Sequence, residues 1–204
     1  IIGQQSGRNL TTGDSNTFVG YQIANLAPTL TAVQNTVVGR NAASNLSSAL
    51  DNTIMGERAA YFITSGSENT AIGQFSLYGN GAGVTGNNNT TVGRASMFAV
   101  STGSNNTALG YAAGSAIVAG SNNVFLGYGA GNTLGDVSNF MEISSNGNIL
   151  LQGDFATKTL YTQGYIEMRA VAAPAAPAAG FGRLYVNSAD GGLYYIGSAG
   201  TATL

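Results

Sequence analysis

A glycine returns along this chain at nearly constant intervals, and that period limits the possible folds more than any other feature of the sequence. Gly3, Gly20, Gly39, Gly56, Gly73, Gly93, Gly110 and Gly127 are separated by 17, 19, 17, 17, 20, 17 and 17 residues. From Gly20 onward each closes a five-residue copy that opens with Asn: Asn16 (NTFVG), Asn35 (NTVVG), Asn52 (NTIMG), Asn69 (NTAIG), Asn89 (NTTVG), Asn106 (NTALG) and Asn123 (NVFLG). Ile1-Ile2-Gly3 reads as the tail of a further copy. A fixed period of this length marks a stacked repeat, in which each unit buries its apolar side only against its neighbours.

The units are not helical. Gly, Asn, Ser and Thr fill them, residues that favour turns and caps, and no unit holds a long apolar stripe at helical spacing. Short strands joined by turns fit instead. The expected fold is all-β: a β-solenoid of about eight coils over residues 1–135, stacked at about 4.8 Å.

Within a coil, the residue before the Gly is apolar in every copy (Ile2, Val19, Val38, Met55, Ile72, Val92, Leu109, Leu126) and is expected to face the core. The residue after it, including Tyr21, Tyr111 and Tyr128, is expected to face out. Three residues after the Gly stands a small residue in all copies but one, Ile23, as close approach of the coil walls requires. The repeated Asn should form a ladder, each amide bonding the next coil and the turn backbone. The repeated Gly suits a corner with positive φ or close chain approach.

Charged residues make up only 8% of the chain, against roughly 25% in ordinary domains. Hydrogen bonds of backbone and side-chain amides must therefore do most of the polar work. A net charge of −2 with scattered Lys and Arg gives no field for phosphate backbones, so no nucleic-acid partner is expected. No apolar run reaches the roughly 18 residues of a spanning helix, so no membrane insertion is expected. Without Cys or His, thiolate and imidazole metal sites and His-based triads have no residues to use. Calcium binding of the nonapeptide kind needs a periodic Asp, and Asp14, Asp51 and Asp136 are not periodic. No catalytic, cofactor or metal residues are assigned. Carboxylate pairs on one face (Glu57 with Glu68, or Asp51 with Glu57) are the weak alternative, that of a polysaccharide-cleaving spike.

The two longer intervals hold insertions, residues 25–33 (NLAPTLTAV) and 77–86 (LYGNGAGVTG). Insertions in solenoids emerge as loops, often on a binding face. Tyr78 and Asn80, at the Asn80-Gly81 turn, join Tyr21, Tyr111 and Tyr128 as candidate receptor contacts. Beyond Gly131 the repeat is expected to stop. Residues 136–169 read as a β neck or cap, with strands around Phe140–Ser144 and Ile149–Leu151 joined at Asn146-Gly147, then Thr159–Arg169. Residues 170–180 read as an Ala/Pro linker, and 181–204 as a hairpin of Arg183–Asn187 and Leu193–Ile196 about Asp190-Gly191. A lone hairpin is marginal in water, so it is expected to pair with copies of itself.

The pattern of Asn69-Thr70-Ala71-Ile72-Gly73 and of Asn106-Thr107-Ala108-Leu109-Gly110, the latter followed by Tyr111-Ala112-Ala113-Gly114, resembles the head repeats of trimeric autotransporter adhesins. It is more similar still to repeats of bacteriophage fibre proteins. Gly182-Arg183-Leu184-Tyr185-Val186-Asn187 with Asp190-Gly191 and Leu193-Tyr194-Tyr195 also resembles C-terminal segments of phage fibres. The resemblance implies a left-handed parallel β-roll assembled as a homotrimer. It also implies a virion-surface fibre with other virion structural proteins and a host-surface glycan or protein as partners. A bacterial surface adhesin is the other location it implies.

Overall fold

The computed structural model describes residues 1–162, 183–186, 193–197 and 200–203. It divides into two compact units, Ile1–Gln163 and Gly164–Leu204.

The first unit is a β-solenoid. Seven three-residue strands head its coils: β1 (Thr17–Val19), β2 (Thr36–Val38), β3 (Thr53–Met55), β4 (Thr70–Ile72), β5 (Thr90–Val92), β6 (Thr107–Leu109) and β7 (Val124–Leu126). Each pairs in parallel with the next, Thr against Thr through β6 as in Thr53↔Thr70 and Thr107 against Val124 at the last, so equivalent residues of successive coils form continuous columns. One coil earlier, Ile2 bridges Val19.

The strands are short because a Gly ends each one. Gly20 to Gly127 of the column have φ between +113° and +144°, outside the range of an L side chain. Space forbids a substitute as well. A Cβ on Gly56 would lie 2.5 Å from the Gly73 carbonyl oxygen, and one on Gly73 would lie 2.7 Å from that of Gly93.

The residue before the Gly does not face the core. Met55, Val92 and Leu109 are 49%, 37% and 39% exposed, and Val19, Val38, Ile72 and Leu126 are half-buried. Side chains alternate along a strand, and the buried residue is the central one: Phe18, Val37, Ile54, Ala71, Thr91, Ala108 and Phe125. The Thr and the apolar residue on either side of it therefore share the outer face.

Opposite the central strand residue stand the third and fourth residues after the Gly, and a further apolar column follows: Leu30, Leu46, Ile63, Val84, Val100 and Ile117. The small third residues, Ala42, Ala59, Ser76, Ser96, Ala113 and Ala130, are buried as expected, and so is Ile23. Volume is balanced across the narrow core. Where the strand supplies Phe125, the fourth positions nearest it are Gly114 and Gly131, whose Cβ atoms would come within 2.9 and 2.4 Å of the ring. Where the strand supplies Ala71, Thr91 or Ala108, the fourth positions are Leu77 and Met97, both buried. Close packing of this kind tolerates neither voids nor added atoms.

The Asn column forms the expected ladder. Asn35, Asn52, Asn69, Asn89, Asn106 and Asn123 each donate their side-chain amide to Oδ1 of the preceding Asn at 2.8–3.1 Å. Their backbone N–H groups donate to the same oxygen at 2.9–3.0 Å. Asn16 opens the column, its amide donating to the Ala32 carbonyl at 2.6 Å. Amides further along do the same across the coil, as Asn89 does to Gly103 and Asn106 to Gly120, both at 2.9 Å. A second ladder runs two residues earlier, where Ser104 N–H donates to Ser121 Oγ and Ser121 N–H to Ser138 Oγ.

The coil register outlasts the sequence motif. β8 (Phe140–Ser145) pairs in parallel with β7 as Val124↔Met141, Phe125↔Glu142 and Leu126↔Ile143, so Ser144 stands in the Gly position, 17 residues after Gly127. The motif stops beyond Gly131 as expected, while the coil register carries on for one more coil. The motif fades because this coil closes the stack: Phe140 replaces the ladder Asn, its N–H still donating to Asn123 Oδ1 at 2.9 Å. Glu142 replaces the core residue. Buried at 3% exposure, its carboxylate accepts from Gly131 N–H (3.0 Å), Ser144 Oγ (2.6 Å) and Gln152 Nε2 (3.0 Å), so the polar group at the end of the apolar column is satisfied.

From β8 the chain reverses through Asn146 and Gly147, both at positive φ as a two-residue hairpin turn requires. β9 (Asn148–Asp154) and β10 (Thr159–Tyr161) add antiparallel strands, completing a ten-stranded sheet that runs unbroken past the expected boundary at 135/136.

In the second unit, β11 (Arg183–Val186), β12 (Leu193–Gly197) and β13 (Gly200–Thr203) form an antiparallel sheet. The first two are the expected hairpin; the third strand gives it a neighbour that the sequence reading lacked. The remainder of the expected Thr159–Arg169 strand, the Ala/Pro linker at 170–180 and the Asp190-Gly191 turn lie outside the described residues.

Candidate functional site

From Arg40 to Tyr128, the column just after the repeated Gly is a continuous chain of side-chain contacts along one edge of the solenoid. Arg40 pairs with Glu57 at 2.9 Å, and Gln74 donates to the other oxygen of Glu57 at 2.9 Å. Gln74 Oε1 in turn accepts from Arg94 Nε at 3.0 Å. The Arg94 guanidinium lies 5.5 Å over the Tyr111 ring, donates to its hydroxyl at 3.1 Å, and Tyr111 stacks on Tyr128 with centroids 5.1 Å apart. The Gln74 amide, joined by Arg40, holds the Glu57 carboxyl below its ordinary range despite opposition from desolvation.

The tyrosine candidates thus separate. Tyr111 and Tyr128 are neighbours, and both are exposed. Tyr21, also exposed, occupies the same column five coil steps from Tyr111, or about 24 Å at 4.8 Å per step.

Tyr78 belongs to a different column, five residues after the Gly. There it is sandwiched between Tyr61, stacked at 5.5 Å, and Phe98, stacked at 4.9 Å. Phe62 and Phe75 meet it edge-on at 5.3 and 5.4 Å. Both faces of the Tyr78 ring are therefore covered, and the ring surface left open in this stack belongs to Phe98, which is 40% exposed. The cluster follows from stacking: a 17- and then a 20-residue interval bring residues 61, 78 and 98 to one position in successive coils. That arithmetic was available from the sequence.

Asn80 sits beside this stack, at the tip of the larger insertion. Asn80, Gly81 and Ala82 are the exposed extra residues, closed by an Asn80 Oδ1 bond from the Ala82 N–H at 3.1 Å. Register resumes at Val84, which bridges Ile63. In the smaller insertion Pro28 and Thr29 protrude, and register resumes at Leu30.

The acidic side chains do not converge on one site. Asp51 and Glu68 occupy the same position in consecutive coils, before the ladder Asn, whereas Glu57 lies past the Gly and is engaged by Arg40 and Gln74. Asp136 is a cap: its Oδ1 accepts from the N–H groups of Val118 (3.0 Å), Ala119 (2.7 Å) and Gly120 (2.7 Å). Desolvation pushes its carboxyl up, but these three donors outweigh it and hold the pKa below the ordinary value. Among the described residues, no three His, Cys, Asp or Glu gather where a metal ion could be held.

A further surface feature is the outer face of the parallel sheet. On it a row of Thr (Thr17, Thr36, Thr53, Thr70, Thr90, Thr107) runs beside the apolar row from Val19 to Leu126, extended by Ile143. Sequence reasoning placed that apolar row inside, and so missed it as a surface.

These features define a β-solenoid repeat protein whose side chains are organised in axial columns. No known protein family, curated protein or solved structure matches the chain.

Proposed function

We propose that this chain is a segment of a homotrimeric surface fibre, carried by a virion, which spaces and presents contacts to a host cell surface. The observation that carries the reading is the outward apolar row from Val19 to Leu126. Soluble proteins rarely leave so long a contiguous apolar strip open to water. The surface that best matches its axial spacing is another copy of the same solenoid, offering the same residue at each height. Three copies side by side would cover the row and set three sets of edge residues outward, where weak contacts add up as avidity.

The second unit fits this reading. Leu184 and Tyr195 are cross-strand partners in β11 and β12, and both are exposed, an apolar pair suited to self-association. Threefold number and the virion location rest on the resemblance to phage fibre repeats. The role is structural and adhesive, with no catalytic step assigned.

Sedimentation equilibrium of the purified chain tests the assembly; a trimer is expected, and a monomer under native conditions overturns it. Competition for host adsorption tests the role. The purified segment should reduce attachment, and the double variant Tyr111→Ala, Tyr128→Ala should reduce it less if the stacked pair touches the receptor.

A further inference from the structure

Three polar side chains on one side of the solenoid lack hydrogen-bond partners. Asn25, Asn41 and Arg58 make no side-chain hydrogen bond among the described residues, and Oδ1 of each Asn and Nε of Arg58 are buried. They are the described side-chain polar atoms that the fold buries unpaired. Such groups are rare in native structures, because an unpaired buried donor or acceptor costs about 1–3 kcal/mol.

Their positions are not independent. Asn41 and Arg58 occupy the second position after the Gly in consecutive coils, and Phe75 takes it in the next; Asn25 belongs to the column of Tyr78 and Phe98, five residues after the Gly. The two columns adjoin, since Phe75 lies 5.4 Å from Tyr78 and 6.4 Å from Phe98. One strip therefore runs from unpaired amides at one end, through Arg58, to aromatic rings at the other. The Arg58 guanidinium lies 5.9 Å over Phe75, which presents it as a flat, oriented fork. Arg40 and Arg94 are occupied by Glu57, Gln74 and Tyr111, whereas Arg58 has no carboxylate within ion-pair distance.

We propose that this strip binds an acidic glycan, a sugar carboxylate docking on Arg58. The proposal rests on the fibre reading above and names its ligand. The fork of Arg58 suits a carboxylate, which accepts two N–H bonds side by side. Sugar hydroxyls can accept from the Nδ2 groups of Asn25 and Asn41, the amide atoms that are not buried. The apolar face of a sugar ring suits the exposed ring of Phe98. A neutral apolar ligand would leave Arg58 and both amides unpaired. A polyanion lacking apolar faces would leave the rings unused.

The test uses the assembled full chain and a panel of uronate- and sialate-containing oligosaccharides, each paired with its carboxyl methyl ester, in titration calorimetry. At least one acid is expected to bind while its ester binds about tenfold or more weakly, the loss of a charge-assisted pair. Arg58→Gln should abolish the difference between acid and ester, and Arg58→Lys should leave part of it. Thermal melting of each variant checks the fold, and the acid-to-ester comparison on the unaltered chain needs no variant. Equal binding of acids and esters, binding unaffected by Arg58→Gln, or no binding across the panel overturns the proposal. A segment that competes for host adsorption equally well with Arg58→Gln removes this site and leaves the fibre role standing. A segment that binds the acids through Arg58 but never competes for adsorption does the reverse.

Discussion

Asn106 Oδ1 accepts two hydrogen bonds from Asn123, one from its backbone N–H and one from its side-chain amide, each at 3.0 Å. The Asn106 amide meanwhile donates to Asn89 Oδ1 and to the Gly120 carbonyl. Every polar atom of this buried side chain is thus used, and the direction of donation is the same at every rung.

That polarity distinguishes Asn from its closest isostere. Asn106→Asp replaces a donor with a second acceptor facing Asn89 Oδ1 and Gly120 O, and leaves a charge in a buried site. Destabilisation of about 3–5 kcal/mol is expected, by analogy with stranding a buried charge. Burial and the facing acceptors would raise the folded-state pKa of that Asp above its unfolded value, so part of the lost stability should return as pH falls below the raised value. Urea unfolding at pH 7 and pH 4 checks both statements; a variant equally stable at the two values contradicts the second.

Substituting a column glycine tests the corner. Gly56→Ala must hold φ near +140° and place its Cβ against Gly73 O. Backbone strain alone costs about 1–3 kcal/mol. The urea midpoint should fall, whereas Gly81→Ala, where a Cβ meets nothing within 4 Å, should lower it less.

Core volume should be exchangeable between facing positions. Phe125→Ala is expected to cost about 3–5 kcal/mol through the cavity it leaves. Gly114→Leu alone should also destabilise, since its side chain meets the Phe125 ring. The combination should be more stable than the sum of the two predicts, because Leu77 already takes this position at φ 52° beside small strand residues. A double-mutant cycle by calorimetry reads the coupling, and strict additivity would contradict it.

The Asp136 cap sets an acid limit. Its folded pKa is held below the unfolded value of about 3.9, so its contribution is fully present above that value and fades as pH falls through the folded one. The melting temperature of the unaltered chain should drop more steeply below pH 4 than that of Asp136→Asn. Parallel curves would place the acid sensitivity elsewhere.

The proposed covering of the outer sheet face by other copies predicts a separable effect on assembly. Met55→Glu with Leu109→Glu should shift sedimentation from trimer to monomer while circular dichroism keeps its β signature, since both side chains point away from the core. Trimers that persist would move the interface off this face.

The stack, its period and its Asn ladder could be read from the sequence because each depends on one residue type at one position. The facing of the strands was harder. Thr107 and Leu109 lie two residues apart and so share a face, but an apolar residue in every copy reads as core until its alternation with Ala108 is followed. The true core column includes Ala71, Thr91 and Ala108, too small or too polar to announce a core, because Leu77 and Met97 fill the space from across the coil. The closing coil was hidden for the opposite reason: Phe140, Glu142 and Ser144 keep the geometry of the repeat while changing every residue that marks it. The Tyr61, Tyr78 and Phe98 stack followed from interval arithmetic, but the insertion between Tyr78 and Phe98 disguised the shared position.

Because Ser144 stands 17 residues beyond Gly127 in the position of the column glycine, a coil is a unit that the backbone register can lose or gain whole. Deleting residues 94–110 would join Gly93 to Tyr111 and bring Asn89 to Asn123 in the ladder. Length is thus a quantised property of this molecule, adjustable in steps of about 4.8 Å. A lineage could tune the reach of such a rod by unequal recombination alone, keeping the closing Glu142 coil as its fixed end.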